Sequence, residues 1–338
     1  MTDGFRISLA GNDTRYVCSD GDTLLRAGLR QGLGLAYECN VGACGSCKFD
    51  LIEGEVEDLF PEASGLRPKE REKGKRLACQ CVPRSDCKIK IRTGDEYVSA
   101  IPPARFKARF VGKTMLTPDI SLFTFVTDKP AEFLAGQYAM LTIPALGQAR
   151  AYSMSNIAND EGLWQFIIRR VPDGKVTAYL FDALQANDEI DIDGPYGIAY
   201  LRTDVARSIV GIAGGSGLAP VLSIMLGAER AQCTGARPTM LYGGRTPADI
   251  PDVRQMAAQA GIEVDFHPVI SAPENAAFDE WTGDVGFVHE FIEHKLGSPL
   301  PEYEYYLAGP PPMIEAAVRL LVADHKVPTS QIHFDRFF

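Results

Sequence analysis

Cys39-Asn40-Val41-Gly42-Ala43-Cys44-Gly45-Ser46-Cys47 sets three cysteines at the spacing C-x4-C-x2-C. A plant-type [2Fe–2S] cluster has this spacing, completed by a distant fourth cysteine. The loop must bend sharply for three thiolates to converge. Gly42 and Gly45, with the small Ala43 and Ser46, permit that bend and let backbone N–H groups approach the sulfurs. The fourth ligand is Cys79 or Cys81, in Leu77-Ala78-Cys79-Gln80-Cys81. Two residues apart on an extended segment, both would face the same side, so geometry does not choose between them. A structural zinc site would call for paired C-x2-4-C motifs or Cys with His. No second pair is present, and the first histidine is His267, which also excludes the two His ligands of a Rieske centre.

Working outward, Phe5-Arg6-Ile7-Ser8-Leu9 and Cys87-Lys88-Ile89-Lys90-Ile91-Arg92 alternate as half-buried strands do. Asp22 to Leu29 reads as a short helix capped by Asp22 or Thr23. Residues 1–98 are thus expected to form a small α+β unit. Cys18, Cys87 and Cys233 are expected to be small buried hydrophobes.

Ser99-Ala100-Ile101-Pro102-Pro103-Ala104 reads as a linker. Short β-type runs such as Ser121–Val126 and Trp164–Ile168, separated by Gly and Pro, predict an antiparallel barrel over 99–205. Within it, Arg150 and Tyr152 share one strand face, so Arg150 can hold a phosphate while Tyr152 covers a flavin ring. Gly174-Lys175-Val176-Thr177 reads as a loop entering a helix, whose free N–H groups suit a second phosphate.

From 206 to 338 strands alternate with helices, the pattern of a parallel α/β sheet. Ile209-Val210-Gly211-Ile212-Ala213-Gly214-Gly215-Ser216-Gly217-Leu218-Ala219-Pro220 runs an apolar strand through Gly214, Gly215 and Gly217 into a helix that Pro220 can begin at its first position. This strand–turn–helix offers N–H groups to a pyrophosphate, although Pro220 replaces the third Gly of the usual fingerprint. Two later strands end in turn residues, Tyr242-Gly243-Gly244-Arg245 and Ala308-Gly309-Pro310-Pro311, and point to the same nucleotide site.

The balance of 34 basic against 44 acidic residues, net −10, argues against nucleic acid or an anionic membrane as partner. Ser208–Ala228 is uncharged and long enough to span a bilayer, but its glycine-rich break and Pro220 favour a buried strand, turn and helix. The start lacks a basic and apolar leader, so a cytoplasmic protein is expected. No histidine follows a Glu by three residues, the pairing that di-iron carboxylate sites use, so the chain is not expected to be an oxygenase itself.

In this order, the cysteine motif, Arg150-Ala151-Tyr152-Ser153, Gly214 to Pro220, Tyr242-Gly243-Gly244-Arg245 and Gly309-Pro310-Pro311-Pro312-Met313 resemble the ferredoxin–NAD(P)+ reductase superfamily. Within it the chain is similar to reductase components of toluene-type aromatic or alkene monooxygenases. Tyr37-Glu38-Cys39-Asn40, Leu77 to Cys81 and His333-Phe334-Asp335-Arg336-Phe337-Phe338 carry that likeness. The resemblance implies a β-grasp ferredoxin domain (1–98), an antiparallel β-barrel FAD domain (99–205) and a parallel α/β nicotinamide-binding domain (206–338). It implies Cys39, Cys44, Cys47 and Cys79 as cluster ligands, Arg150 at the FAD pyrophosphate, Tyr152 beside the flavin and Ser153 near its reactive nitrogen. Gly174 and Thr177 resemble a second FAD-phosphate contact. Gly215 to Pro220 resemble the dinucleotide turn, and Phe337 or Phe338 the terminal aromatic that shields the flavin. Many relatives carry Cys where this chain has Ala308. Arg245 would suit NADPH, but the resemblance favours NADH. Electrons would pass from NADH through FAD, which can take a pair and release single electrons, to the cluster. The implied acceptor is a Rieske-type ferredoxin or the hydroxylase of an oxygenase. A reductase for a ring-hydroxylating dioxygenase, or for sugar-nucleotide deoxygenation, is the alternative. A monomer is expected. The acidic run from Glu53 to Glu62 reads as a solvated loop that aids solubility or, functionally, as a rim that steers a basic patch on the acceptor.

Overall fold

A computed structural model describes residues 4–233, 237–272, 281–297 and 299–337; Phe338 lies outside them. The chain divides into two compact units, Met1–Arg105 with Asp193–Ile198, and Phe106–Ile192 with Ala199–Phe338.

The first unit is a β-grasp fold. Its mixed sheet runs in the order Arg15–Ser19, Gly4–Leu9, Cys87–Ile91, Lys48–Glu53, Arg76–Leu77. Gly4–Leu9 pairs parallel with Cys87–Ile91 and antiparallel with Arg15–Ser19. The helix Leu24–Arg30 buries Leu24, Leu25, Ala27 and Leu29, and Tyr16 Oη donates to Leu24 O at 2.9 Å. Thr23 is the N-cap, accepting from Arg26 N. Asp22 is left to a buried ion cluster. It accepts from Thr23 N at 2.7 Å and Arg105 Nη2 at 2.6 Å, and it pairs with Arg30. Asp193 accepts from Arg30 Nη1 at 2.8 Å and from Tyr196 Oη at 2.7 Å. Together with Gly197 N donating to Tyr37 Oη at 3.1 Å, these bonds hold residues 193–198 in this unit.

In the second unit the first sheet has the order Gln148–Ser153, Tyr138–Ile143, residues 189–192 of the strand Glu189–Tyr196, residues 106–117 of the strand Ala104–Thr117, Ile120–Val126, Leu163–Arg169. Its edge strands meet through an antiparallel bridge between Met154 and Phe166, which closes a barrel. Phe123, Phe125, Phe166 and Ile168 fill the interior. Leu122 and Ile167 are paired opposite each other and face outward. There they join a cluster with Leu218, Leu222 and Met225 of the helix Leu218–Ala231. That outer face explains why these strands read as apolar on both sides.

The second sheet is parallel, ordered Asp284–Val285, Asp265–Ile270, Thr239–Gly244, Ser208–Gly214, Tyr303–Gly309, Ile332–Arg336. In chain order the strands grow away from Ser208–Gly214 in one direction and then the other. The switch point, where such sheets bind ligands, therefore lies between Ser208–Gly214 and Tyr303–Gly309. The uncharged run from Ser208 becomes strand, one 3-10 turn and helix, and no helix among the described residues is long and apolar enough to cross a membrane.

Asp22 is 3% exposed and is met by Arg30 and Arg105. Removing one partner of a buried ion cluster costs about 3–5 kcal/mol. Asp22→Ala is expected to speed hydrogen–deuterium exchange in the helix Leu24–Arg30 and to lower the denaturant concentration at which it opens. Exchange in the helix Leu218–Ala231 of the second unit should be unchanged; unaltered exchange in Leu24–Arg30 would show the cluster to be dispensable.

Candidate cofactor sites

The loop from Cys39 to Cys47 crosses into left-handed backbone at Asn40 (φ 58°), Gly42 (φ 83°) and Gly45 (φ 78°). A Cβ on Gly45 would lie 2.5 Å from Gly65 O, and Gly65 N donates to Gly42 O at 2.9 Å, so the segment after Ala63 clamps the loop from outside. Ser46 Oγ donates to Glu38 Oε1 at 2.9 Å and ties its two ends.

Inside the loop the thiols stand as two pairs. Cys39 is hydrogen-bonded to Cys44, and Cys47 to Cys79. Accepting from Cys39 is the main influence holding Cys44 down at about 6, whereas Cys39 is pushed up by the same bond and by burial. Cys79 is likewise lowered by the bond from Cys47, and Cys47 raised. Cys44 N lies 3.3 Å from Cys39 Sγ, Ser46 N 3.4 Å from Cys44 Sγ, and Gln80 Nε2 3.4 Å from Cys79 Sγ. Cys81 stands apart: it begins the strand Cys81–Pro83 opposite Asp58, and burial first, then Asp58, pushes its thiol up to about 12.

Among the described residues no three Cys, His, Asp or Glu side chains form a group fit for a single ion. Two thiol pairs with N–H donors beside their sulfurs instead fit a larger iron–sulfur group, which Cys39, Cys44, Cys47 and Cys79 would hold. The Asn40 side chain, 2% exposed, has neither its amide nitrogen nor its oxygen paired among the described residues. An orphaned buried amide is costly, and its presence in this loop fits a group the protein alone does not supply.

On the barrel, Arg150 lies opposite Leu141, Tyr152 opposite Ala139 and buried Ser153 opposite Tyr138. Arg150 is exposed, with Nη1 on Ala149 O at 2.8 Å, and its charge reaches the Tyr152 phenol, which burial pushes up to about 12. The pair thus shares a face, as a phosphate-holding arginine beside a ring-covering tyrosine requires. Gly174 caps the helix Lys175–Ala178. The Thr177 hydroxyl is committed locally, accepting from Val171 N at 3.2 Å and donating to Gly174 O at 3.1 Å, which leaves main-chain N–H groups as the donors at this turn.

At the switch point lies a cleft of about 460 Å³, lined by Gly214, Gly215, Tyr242, Arg245 and Pro310 among others. Gly217 is forced by contact: a Cβ there would sit 2.0 Å from Ala308 O. Tyr242 is fully buried and its Oη donates to Gly215 O at 3.0 Å. Pro220 occupies the third position of the helix Leu218–Ala231, not the first, because the single turn Gly215–Gly217 winds in ahead of it. It is still in the first turn, where its missing N–H costs no bond. Phe337 N donates to Gly309 O at 2.9 Å and its ring packs on the cluster that holds Ala308, Ile120 and Ile167. Arg169 was not legible as a site residue. It ends the strand Leu163–Arg169, lines the cleft beside Gly215, and is held by Asp119 Oδ2 at 2.6 Å. No local signal marks it: the strand also carries Gln165, and what Arg169 does depends on the turn it meets. The acidic run is less bare than it reads, since Glu53 pairs with Lys88, Glu57 with Arg84 and Glu62 with Arg71.

The chain matches the families described as 2Fe-2S iron-sulfur cluster binding domain over residues 7–84, oxidoreductase FAD-binding domain over 107–200, and oxidoreductase NAD-binding domain over 212–319. It is 42% identical over 323 residues to the ferredoxin–NAD(P)(+) reductase CarAd of Metapseudomonas resinovorans, covering 95% of this chain and 96% of that one. It is 38% identical to the ferredoxin–NAD(+) reductase component of the alkene monooxygenase system of Xanthobacter autotrophicus, covering 96% and 99%. A solved structure described as the ferredoxin reductase in carbazole 1,9a-dioxygenase superposes with a TM-score of 0.90 at 36% identity, covering 99% of both chains.

Cys79→Ser is expected to abolish the visible absorbance of the cluster while flavin-dependent dye reduction by NADH survives; Cys81→Ser should keep both. Loss of that absorbance in Cys81→Ser alone would reverse the assignment.

Proposed function

We propose that this chain, which belongs to the family of ferredoxin–NAD(P)+ reductases built from a [2Fe–2S] domain, an FAD-binding domain and a nicotinamide-binding domain, delivers its electrons to a Rieske-type ferredoxin that serves an oxygenase. Within that family it is an NADH-dependent flavin iron–sulfur oxidoreductase, and electron transfer is its activity. When bound, FAD would supply the exchange between paired and single electrons that links NADH to a one-electron centre. The observation that carries the acceptor reading is likeness over at least 95% of both chains to two proteins named as reductases of ferredoxin. Delivery straight to the hydroxylase of an aromatic or alkene monooxygenase is the other outcome of the same test. A ring-hydroxylating dioxygenase is the second reading for the oxygenase, favoured by the superposition at TM-score 0.90.

The placements above support the following residue roles. Cys39, Cys44, Cys47 and Cys79 hold the cluster in the segment 1–98. Over 99–205, Arg150 holds the FAD pyrophosphate, Tyr152 lies along the flavin, Ser153 approaches its reactive nitrogen, and the turn from Gly174 to Thr177 offers N–H groups to phosphate. Over 206–338, Gly214, Gly215, Gly217 and Pro220 form the dinucleotide turn. Tyr242 braces that turn from below, while Arg245, Gly309 and Pro310 wall the cleft. Phe337 shields the flavin at the point where the nicotinamide enters. Arg169, held by Asp119, adds a fixed positive charge for the nicotinamide dinucleotide's phosphates. All eight cysteines are free, as a cytoplasmic setting allows.

The acceptor is tested with the purified holo-chain and NADH, comparing a Rieske-type ferredoxin with a di-iron hydroxylase. Rapid reduction of the ferredoxin is expected; direct reduction of the hydroxylase with no response from the ferredoxin would overturn the reading. Two substitutions separate the nucleotide roles. Losing a charged hydrogen bond costs about 1.5–3 kcal/mol, or roughly ten- to hundredfold in affinity. Arg169→Ala should therefore raise KM for NADH by at least about tenfold at unchanged FAD content. Arg150→Ala should lose FAD on dialysis. Equal FAD retention in Arg150→Ala, or an unchanged KM in Arg169→Ala, would remove the respective assignment.

A further inference from the structure

We propose that Gln80 is a positioning residue for the iron–sulfur centre, whose side-chain amide sets how readily that centre accepts an electron. The inference rests on Cys79 being the fourth ligand. Gln80 Nε2 lies 3.4 Å from Cys79 Sγ and 3.4 Å from the carbonyl oxygen of Asn40. A primary amide carries two N–H donors, one for each acceptor. One group therefore bonds a ligand sulfur from the distant segment and the main chain of the cysteine loop, joining the two parts of the site.

The side chain is held where it must be to do this. Gln80 N donates to Leu77 O at 2.9 Å, and Gln80 O accepts from Leu59 N at 2.8 Å, so both main-chain groups are fixed. Its methylene stem lies over Gly42, where a Cβ would come within 3.1 Å of Cγ. At Cys39 and Cys44 the sulfurs are met by the main chain, at Cys44 N and Ser46 N, and at Cys44 by the Ser46 side chain as well. Gln80 is thus a donor to a ligand sulfur that a substitution can remove without disturbing the backbone.

The physical consequence has a definite sign. Reduction adds one negative charge to the centre, and part of it falls on the ligand sulfurs. A hydrogen bond to sulfur favours the more negative state, so it raises the reduction potential. Gln80 accordingly eases the electron onto the centre, and without it reduction becomes less favourable although all four cysteines remain.

The test uses the holo-chain with Gln80→Leu, which removes the donor, and Gln80→Glu, which keeps the shape but presents acceptors. Reductive titration followed by electron paramagnetic resonance reads the potential, and visible absorbance reads cluster content. Both variants should retain the absorbance. Gln80→Leu should lower the potential, with the reduction equilibrium falling about tenfold, ~59 mV for a one-electron couple; Gln80→Glu should lower it further. An unchanged or raised potential in Gln80→Leu overturns the proposal. If that variant fails to hold its cluster, Gln80→Glu decides in the same way. Failure of the ligand reading is separable, since it would appear as retained absorbance in Cys79→Ser.

Discussion

The nicotinamide half of the molecule depends on one close approach of backbone to backbone. Where the strand Ser208–Gly214 ends, the turn comes so near the end of Tyr303–Gly309 that a methyl at position 217 would lie 2.0 Å from Ala308 O. The turn can pass only as glycine, and passing there it opens its main-chain N–H groups toward the crevice at the switch point. Tyr242 secures it from below. A buried phenol needs a partner, and Gly215 O at 3.0 Å provides one. Gly309 O in turn accepts from Phe337 N, so the same strand ends that shape the turn also fix the terminal aromatic. The barrel contributes through an apolar seam. Leu122 and Ile167 on its outer face pack with Leu218 and Leu222, and this contact sets Arg169, at the end of the same strand as Ile167, beside the turn. The cleft is a joint product of sheet and barrel.

The cysteine loop solves a different problem, that of gathering negative charge away from water. Four thiolates and two sulfides repel one another and lose hydration when buried. The compensation is a set of N–H donors turned inward by left-handed backbone at Asn40, Gly42 and Gly45. Loop and donors are rigid because Gly65 N and the Ser46–Glu38 bond hold them from outside. The unpaired amide of Asn40 belongs to the same logic. Inside an apolar pocket it would be a defect, but in a loop that takes up a charged group it is a polar side chain held ready for that group.

The fold was legible wherever the signal is local. The C-x4-C-x2-C spacing, the short β-type runs of the barrel and the run from Ser208 each encode their element within a few residues. Positions set by tertiary context were not. Cys79 and Cys81 cannot be told apart on an extended segment, but the chain turns between Ala78 and Gln80, so that Cys79 enters the loop and Cys81 starts a separate strand. Asp22 and Thr23 looked equivalent as caps until Arg105, 83 residues away, claimed Asp22. Thr177 carries the right chemistry for a phosphate contact, yet its hydroxyl is spent on its own turn. Arg169 depends on which strand end meets which turn, and no single stretch of sequence contains that.

The acidic run shows the same limit for charge. Read along the chain, Glu53, Glu55, Glu57, Asp58 and Glu62 have no base between them. Folding brings three bases to them: Lys88 from the neighbouring strand, Arg84 after Cys81–Pro83, and Arg71 from the helix Pro68–Glu72. Such exposed pairs add little stability, about 0–1 kcal/mol each, but they cancel much of the field that an approaching partner would meet within the Debye length. Between the paired acids Leu59 and Phe60 stand half exposed, and Leu59 N is bonded to Gln80 O, next in sequence to Cys79. Leu59 and Phe60 are therefore exposed on a segment bonded to the one that carries Cys79, and three of the five acids around them are paired, whereas Glu55 and Asp58 meet no base among the described residues. A partner meeting that segment would draw on contact, which governs how long a complex lasts, as well as on the remaining charge, which governs how fast it forms.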